Sequence, residues 1–433
     1  MLGNNNLHIN EKNHLCIGEH DAVELAREYG TPLYVLDEDV IRKNCRGYKE
    51  AIDKYYGGNG LALYASKALC TMHTACVAAE EGMGADVVSG GEIYTLHKAG
   101  FPMEKVFFHG NNKTPDEIEL AMECGIGHIV VDNIYELDKV NEIACRRNTV
   151  QKILFRIKPG IDAHTHDFVR TGQIDSKFGV ALENGEAFEI HKYAATLKNI
   201  VVDGVHCHIG SQIFEVSPFC EAAKVMMSFV ADLKDKLGIY ASILNLGGGF
   251  GIKYVEGDDP LTPEEYVKAA IETVKQVSAE RNMPLPFLVF EPGRSIVAEA
   301  GITLYTVGCV KDIENVRTYV SVDGGMSDNP RYIMYGAKYS ALLANRAGEE
   351  TVKEVTIAGK CCESGDLIQE NVPMPDVKVG DILAVLATGA YNYSMSSNYN
   401  RIPRPAMVAV RGSEKKIIIK RETYEDIIKN DII

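Results

Sequence analysis

The chain has 433 residues, of which 46% are apolar and 24% charged, a composition typical of a soluble globular protein with more than one domain. Its formal net charge of −15 argues against nucleic acid or an anionic membrane surface as a partner. The 11 cysteines show no C-x-x-C pair and no zinc-site spacing, which argues against a disulfide framework and a structural metal. Because the first residues lack the pattern of a secretory leader and no apolar run has membrane-spanning length, we expect a cytoplasmic protein.

The N-terminal and central parts of the sequence predict a segment followed by a barrel. Residues 1–37 contain a helical pattern at 21–29 and a short strand at 31–36. Beyond them, apolar strand-like segments alternate with helical patterns. These strands are predicted at residues 61–65, 85–88, 105–108, 128–131, 153–157, 201–209, 243–246 and 287–290. The alternation predicts a closed parallel (β/α)8 TIM-like barrel over residues 38–295. A doubly wound open sheet is the alternative, but its usual Gly-x-Gly-x-x-Gly turn is missing.

The C-terminal part of the sequence, residues 296–433, has a different pattern. Its predicted strands are residues 302–310, 318–322, 352–358, 382–386, 407–410 and 416–420. Gly, Asn, Asp and Pro separate them, and little helical pattern occurs before a last helix at 424–429. This arrangement predicts a mostly β domain of sandwich or Greek-key barrel type.

Polar residues follow several of the predicted barrel strands, at the end where barrel enzymes form their active sites. Lys67 follows the strand at 61–65, although a lysine in such a position is most often a solvated surface residue. His206 and His208 lie on one face of their strand because side chains alternate. A histidine inside a barrel is more often a hydrogen-bonded core residue than a catalytic one. His208, nearer the carboxyl end, has the stronger functional claim.

Two motifs follow the last predicted barrel strands. Residues 246–251, LGGGFG, contain three consecutive glycines whose backbone N–H groups can form a nest for phosphate, although the same glycines can be a flexible turn. In residues 290–295, FEPGRS, Glu291 directly follows an apolar strand and Arg294 comes three residues later. These two side chains can form a buried ion pair. Alternatively, Glu291 keeps a heterocyclic nitrogen protonated and Arg294 binds an anion.

Taken together, these residues indicate one cofactor. A lysine nucleophile, a phosphate nest, a ring-stacking histidine and a carboxylate for a ring nitrogen specify pyridoxal 5′-phosphate. Lys67 would hold it as a Schiff base, the glycines would bind its phosphate, and Glu291 would face its pyridinium nitrogen, so that the ring can accept electrons.

Nine motifs resemble those of the diaminopimelate decarboxylase family, in the family's order and over nearly the whole chain. They are YASKA around Lys67, DVVSGGE (86–92), HCHIGSQ (206–212), GGGFG (247–251), EPGR (291–294), DGGMSDNPR (323–331), CESGD (362–366), GAY ending at Tyr391, and SSNYN (396–400). The resemblance implies an alanine-racemase-like fold in which residues 1–37 join the β domain. It also implies a homodimer whose active sites form between subunits. Where the family usually has proline after the arginine of DNPR, this chain has Tyr332.

The resemblance also implies roles for individual residues. It makes Lys67 the Schiff-base lysine and Cys362, reaching in from the partner subunit, the proton donor, whereas we expect Cys361 to be a buried apolar residue. The residues that it assigns to the cofactor are Lys67, Asp86, His208, Ser211, Gly248, Gly249, Glu291, Gly293, Arg294 and Tyr391. Those that it assigns to the substrate are Arg294, Arg331, Tyr335, Glu363 and Tyr391. Arginines suit the carboxylates of the substrate and Glu363 suits its distal ammonium group.

The implied reaction is decarboxylation of meso-2,6-diaminopimelate to L-lysine and CO2, the last step of lysine biosynthesis. A decarboxylase of the same fold acting on ornithine, arginine or carboxynorspermidine is the nearest alternative; Gln212 and Glu363 argue against the first two. A non-catalytic regulatory homologue is disfavoured because the lysine and the glycine nest are retained. A metal-dependent barrel enzyme is disfavoured because no carboxylate and histidine cluster has ligand spacing. The polar stretch at 164–177 is a candidate lid over the site.

Overall fold

The structure is a computed structural model that describes residues 6–161 and 176–433 of the chain. The predicted lid at 164–177, apart from its last two residues, lies outside the described residues. The chain divides into two compact units, each described by itself. The barrel unit comprises residues 42–252 and 259–295, and the β unit comprises residues 1–41, 253–258 and 296–433. Within the described ranges, no helix combines the length and apolar character needed to cross a membrane.

The strands are numbered in chain order. They are β1 (Leu7–Ile9), β2 (Leu15–Ile17), β3 (His20–Asp21), β4 (Leu33–Asp37), β5 (Gly60–Ala65), β6 (Gly84–Val87), β7 (Val106–Phe108), β8 (His128–Val131), β9 (Gln151–Lys158), β10 (Val180–Ala181), β11 (Ile200–His206), β12 (Ile243–Asn245), β13 (Phe287–Phe290), β14 (Gly301–Ile313), β15 (Arg317–Val322), β16 (Ala341–Leu343), β17 (Lys353–Ala358), β18 (Leu367–Met374), β19 (Ile382–Val385), β20 (Ala406–Arg411) and β21 (Glu414–Ile419).

The helices are numbered in the same way. They are α1 (Ala22–Tyr29), α2 (Glu38–Tyr56), α3 (Met72–Glu80), α4 (Gly90–Lys98), α5 (Pro115–Glu123), α6 (Ile134–Arg146), α7 (Glu186–Ala194), α8 (Ser217–Leu237), α9 (Pro263–Glu280), α10 (Arg294–Val297), α11 (Arg331–Tyr335) and α12 (Tyr424–Ile428). Short 3-10 helices occur at Ser66–Ala68, Met103–Lys105, Ala344–Arg346 and Tyr399–Arg401. Several helices begin at clear sequence signals: α5 and α9 each start with a threonine capping box followed by proline.

The barrel unit contains a closed sheet of parallel strands. Its order is β5, β6, β7, β8, β9, β11, β12 and β13, and β13 pairs with β5 to close the ring. All eight strands predicted from the sequence are confirmed, and closure excludes the doubly wound open sheet. The strand predicted to reach residue 209 ends at His206. Its ladder partner Asn245 is the last residue of β12, and Gly247, two residues further on, turns the chain away with a φ of 69°. Buried side chains of the strands fill the barrel interior; they include Leu63, Phe107, Val130, Leu154, Ile243 and Val289.

The β unit contains a nine-stranded sheet and a small antiparallel sheet of β1, β2 and β3. Strand β4 lies within the larger sheet, antiparallel to β14 and parallel to β20. The predicted mostly β fold is therefore confirmed, together with all of its predicted strands. The sequence does not predict β18, because Asn371 with its φ of 54° interrupts the alternation of apolar and polar residues. Two buried apolar clusters form the core of this unit.

Candidate active site

Lys67 lies at the mouth of the barrel, in the 3-10 turn directly after β5, and its side chain is exposed. The turn is anchored next to the lysine: Ser66 Oγ donates a hydrogen bond to Glu92 Oε2 at 3.0 Å, and the Val88 N–H donates to the same oxygen at 2.7 Å. Burial raises the pKa of Glu92 to about 7. The amine is thus held on a short, fixed turn at the end of the barrel where chemistry is expected.

The carboxylate of Glu291, which follows β13, is buried among hydrogen-bonding side chains. Asn245 Nδ2 donates to Oε1 at 2.7 Å, and His206 Nε2 lies 3.3 Å from Oε2. His109 Nε2 lies 2.8 Å from Oε1, off the line of a hydrogen bond. Burial alone would raise the pKa of Glu291, but the interactions with His109 and His206 outweigh it and hold this pKa well below its usual value. The carboxylate is therefore an anionic acceptor.

His206 supports Glu291 as a neutral imidazole, because burial lowers its pKa to about 3. A neutral imidazole that faces a carboxylate carries its proton on the facing nitrogen, which here is Nε2. Nδ1 is then an acceptor, and it is buried without a hydrogen-bond partner among residues 6–161 and 176–433. The His109 ring packs edge-on against that of His206, with centroids 4.7 Å apart. The two rings thus fix the position of the carboxylate from one side.

His109, His206 and Glu291 also have the composition of a metal site, although their sequence positions show no ligand spacing. Their ligand atoms lie within 4.8 Å of one another, and all three side chains are buried. However, Asn245 already donates to Oε1, and the positive charge of Arg156 acts on the carboxylate. Both features favour a hydrogen-bonded carboxylate over a cation ligand. We therefore interpret the cluster as the support of Glu291.

Asp86 and His208 complete the electrostatic surroundings of Lys67. Asp86 lies in β6 with its pKa raised by burial, and its Oδ1 has no hydrogen-bond partner in the described part of the chain. His208 lies just beyond β11, and its Nδ1 accepts a hydrogen bond from the Gly248 N–H at 3.3 Å. Burial, followed by the charge of Lys67, lowers the pKa of His208 well below its usual value, so its ring is neutral. The Lys67 charge acts on Asp86 as well.

The three glycines at 247–249 allow strand-end loops to approach closely. Gly249 has a φ of 113°, in a region that only glycine adopts readily. A Cβ atom added to Gly248 would lie 2.1 Å from the carbonyl oxygen of Glu291, and one added to Gly249 would lie 2.5 Å from that of Gly210. The loop therefore packs directly against neighbouring backbone, and the partly exposed Gly249 is the glycine most accessible to a phosphate.

Arg294 and Ser211 lie together beside these loops. Arg294 is buried, and its Nη2 donates to Ser211 Oγ at 2.9 Å. The backbone at Gly293 packs closely against Ala65, since a Cβ on Gly293 would lie 2.8 Å from the Cβ of Ala65. A guanidinium, a hydroxyl and glycine backbone form a donor set suited to phosphate.

The barrel mouth fits pyridoxal 5′-phosphate on observations of this structure. Lys67 offers an amine for the cofactor aldehyde, Glu291 an anionic acceptor for the ring nitrogen, and His208 a neutral ring. Asp86 Oδ1 is buried without a hydrogen-bond partner in the described part of the chain, so a bound ligand can supply one. The glycine loop packs against the backbone of Glu291 so closely that a Cβ at Gly248 would displace it.

Replacement of Gly248 with alanine is expected to weaken cofactor binding by at least about tenfold and to destabilise the fold by about 1–3 kcal/mol, because the new methyl group forces Glu291 to move. Cofactor titration and thermal unfolding of the apoprotein would measure the two effects. Gly257→Ala is the matched control, since a Cβ there meets nothing within 4 Å. Wild-type affinity and stability in the Gly248→Ala protein would contradict this account of the loop.

The predicted substrate residues of the β unit include a buried arginine among tyrosines. Arg331 begins α11, and its guanidinium lies 5.7 Å from the ring centroid of Tyr335 and 5.2 Å from that of Tyr391. Its Nη1 donates to the hydroxyls of Tyr254 and Tyr339 at 3.2 and 3.1 Å. Tyr391 has a φ of 70°, a strained backbone conformation that occurs preferentially at functional sites.

The two adjacent cysteines differ in their surroundings. Cys361 is buried, burial raises its pKa to about 11, and its N–H donates to Asp366 Oδ2 at 2.7 Å. Cys362 is exposed, and its N–H donates to Asn400 Oδ1 at 2.7 Å. Glu363 is also exposed. The expectation that Cys361 is a buried residue is confirmed, and the exposed thiol is the one that the sequence motif selects.

Four residues that contact the predicted site residues were not predicted from the sequence. In the barrel unit they are His109, which directly follows β7, and Asn245, which ends β12. Glu291 is predicted because it is a polar residue at the end of an apolar strand. His109 and Asn245 have the same position relative to their strands, so the same pattern would predict them as well. Tyr254 and Tyr339 surround Arg331 in the β unit, and no sequence pattern marks them.

Comparison with known proteins defines the class of this chain. Residues 38–298 match the family model described as the pyridoxal-binding domain of pyridoxal-dependent decarboxylases. The chain belongs to the pyridoxal-dependent decarboxylase family, and its cofactor is pyridoxal 5′-phosphate, as the residues at the barrel mouth predict.

Full-length relatives define its place within the family. The diaminopimelate decarboxylase of Bacillus methanolicus is 51% identical over 414 residues, covering 96% of each chain. That of Bacillus subtilis is 49% identical and covers 98% of this chain and 96% of its own. The crystal structure of diaminopimelate decarboxylase from M. jannaschii in complex with L-lysine has a TM-score of 0.93 at 38% identity, covering 100% of this chain and 99% of that one. Within the family, this chain groups with the diaminopimelate decarboxylases.

Proposed function

We propose that this protein removes CO2 from meso-2,6-diaminopimelate and releases L-lysine, the last step of lysine biosynthesis. The observation that carries the choice of substrate is the buried Arg331, which has no carboxylate partner among the described residues. A buried guanidinium without an anion is costly, so a ligand that supplies a carboxylate there is favoured. Diaminopimelate has a second carboxylate that can bind there, whereas the single carboxylate of ornithine is the one that leaves as CO2.

The barrel unit holds the cofactor in this proposal. Lys67 would bind it covalently through Nζ, and Asp86 and His208 would contact it. Its phosphate would be bound by Ser211, Gly248, Gly249 and the backbone of Gly293 and Arg294. Bound pyridoxal phosphate supplies an electron sink for the electron pair left when CO2 departs. Glu291 holds the proton on the ring nitrogen, because its own pKa is well below the usual value and it stays anionic. His109, His206 and Asn245 keep that carboxylate in position.

The substrate is bound by charge complementarity. Arg294 and Arg331 bind carboxylates, Glu363 binds the distal ammonium group, and Tyr335 and Tyr391 flank the substrate. Tyr391 also contacts the cofactor. These assignments are supported by the family motifs and by the grouping of Arg331, Tyr335 and Tyr391 in the β unit.

The final proton comes from Cys362 of the partner subunit, which returns it to the carbon that has lost CO2. The exposed position of Cys362 beside a buried neighbour supports this role. The active protein is therefore proposed to be a homodimer with shared sites. We further propose a cytoplasmic location, and a domain division into residues 1–37, 38–295 and 296–433 with the first joining the third.

CO2 release from two substrates tests the proposed function. The holoenzyme is expected to decarboxylate meso-diaminopimelate and to release CO2 from ornithine at least about a hundredfold more slowly, because a lost charged contact costs several kcal/mol. Equal turnover of the two substrates would refute the choice of diaminopimelate. Turnover of neither by a protein that contains its cofactor would instead support a regulatory homologue.

A further inference from the structure

Within the described residues, Arg331 donates its side-chain hydrogen bonds through one nitrogen of the guanidinium, Nη1. Both hydroxyls that contact it, those of Tyr254 and Tyr339, accept from the same nitrogen, Nη1, at 3.2 and 3.1 Å. The two tyrosine rings pack edge-on with centroids 5.1 Å apart, and the Tyr339 hydroxyl also accepts from Asn392 Nδ2 at 3.3 Å. The two rings thus position each other, and the Tyr339 hydroxyl has a second hydrogen bond besides that from Arg331.

The opposite edge of the guanidinium contains an unused donor. Arg331 is 7% exposed, yet its Nε has no hydrogen-bond partner within residues 6–161 and 176–433. A buried, charged N–H group without an acceptor is unfavourable. Because a carboxylate fits two parallel N–H groups of a guanidinium, the Nε and Nη2 edge suits one carboxylate bound side-on.

We infer that Tyr254 and Tyr339 are specificity-determining positioning residues, which hold Arg331 by Nη1 so that its Nε and Nη2 edge binds the distal carboxylate of the substrate. The inference rests on the proposed function, which supplies that carboxylate. Tyrosine hydroxyls suit this task because they are neutral: a protein carboxylate in their place would orient the guanidinium but also neutralise it and compete with the ligand. Cation–π contact with the Tyr254 ring, 5.9 Å from the guanidinium carbon, adds attraction without an opposing charge.

Binding of two diamines to the holoenzyme tests this inference. L-lysine keeps the distal carboxylate, whereas cadaverine has the same two amino groups and no carboxylate. Calorimetric titration should show that the wild-type protein binds L-lysine more tightly than cadaverine. In Tyr254→Phe and in Tyr339→Phe, L-lysine affinity should fall by about tenfold, the effect of one hydrogen bond to a charged group, while cadaverine affinity stays within about twofold.

Tyr332→Phe is the matched control. It removes a hydroxyl from the same helix, but that hydroxyl donates to Glu370 Oε2 at 2.6 Å and does not contact Arg331. Its L-lysine affinity should equal that of the wild type. Unchanged L-lysine affinity in both test variants, or equal weakening of L-lysine and cadaverine, would overturn the inference. Turnover of meso-diaminopimelate by the wild-type protein is measured separately, so that failure of the proposed function is distinguished from failure of the inference.

Discussion

The Lys67→Ala protein is expected to lose turnover of meso-diaminopimelate by on the order of a thousandfold or more, because it lacks the amine that we propose binds the cofactor covalently. Lys67 is exposed on an anchored turn beside Asp86 and His208, and no other residue of the described barrel mouth is proposed for this role. The variant should also lose the visible absorption band of the lysine-bound cofactor.

Borohydride reduction provides the second measurement for Lys67. In the wild-type protein, reduction should link the cofactor to a peptide that contains Lys67. Lys43→Ala is a suitable control, since Lys43 is an exposed lysine of α2 outside the proposed site. If the Lys67→Ala protein kept both the absorption band and full turnover, the central assignment would be wrong.

The Cys362→Ala protein is expected to lose turnover by about 10²–10⁴-fold, the usual contribution of a positioned proton donor. Its absorption band should remain, because the cofactor is bound by other residues. Cys361→Ala serves as the adjacent control. Cys361 is buried, so its replacement should lower the stability of the fold. Its pKa is raised to about 11 by burial, so its replacement should have little effect on turnover. Equal losses of turnover in the two variants would argue against a specific role for Cys362.

Mixed dimers test whether Cys362 acts across the subunit boundary. When the Lys67→Ala and Cys362→Ala proteins are mixed and allowed to exchange subunits, half of the dimers are mixed and one of their two sites is intact. Activity should therefore return to about a quarter of the wild-type value, although each parent is inactive. No recovery, despite exchange verified by native mass spectrometry, would mean that both residues act within one subunit.

The positions of the barrel strands could be predicted because each is a short buried apolar segment between helical patterns, a signal that is local in sequence. The carboxyl ends of most of these strands could be predicted for the same reason, and they place Lys67 and Glu291 at the barrel mouth. The end of β11 could not: it lies at His206, before His208, and not at residue 209. Strand β18 could not, because polar side chains and Asn371 hide its alternation and only pairing with β17 defines it.

The supports of the site residues were harder to predict than the site residues themselves. Asn245 meets Glu291 because β12 pairs with β13, and His109 meets it from the end of β7, which two strands separate from β13 in the closed sheet. Tyr254 and Tyr339 flank Arg331 from positions 77 residues before it and 8 residues after it. Such contacts depend on tertiary packing, which no local pattern contains.

Strand β4 has a consequence for how the chain is made. It lies between β14 and β20, all five of its residues are buried, and its partners Gly301–Ile313 and Ala406–Arg411 are synthesised several hundred residues later. During translation, β4 leaves the ribosome long before a sheet exists to receive it. It therefore remains an unpaired, mostly apolar segment, accessible to chaperones and prone to aggregation, until its partner strands have been synthesised.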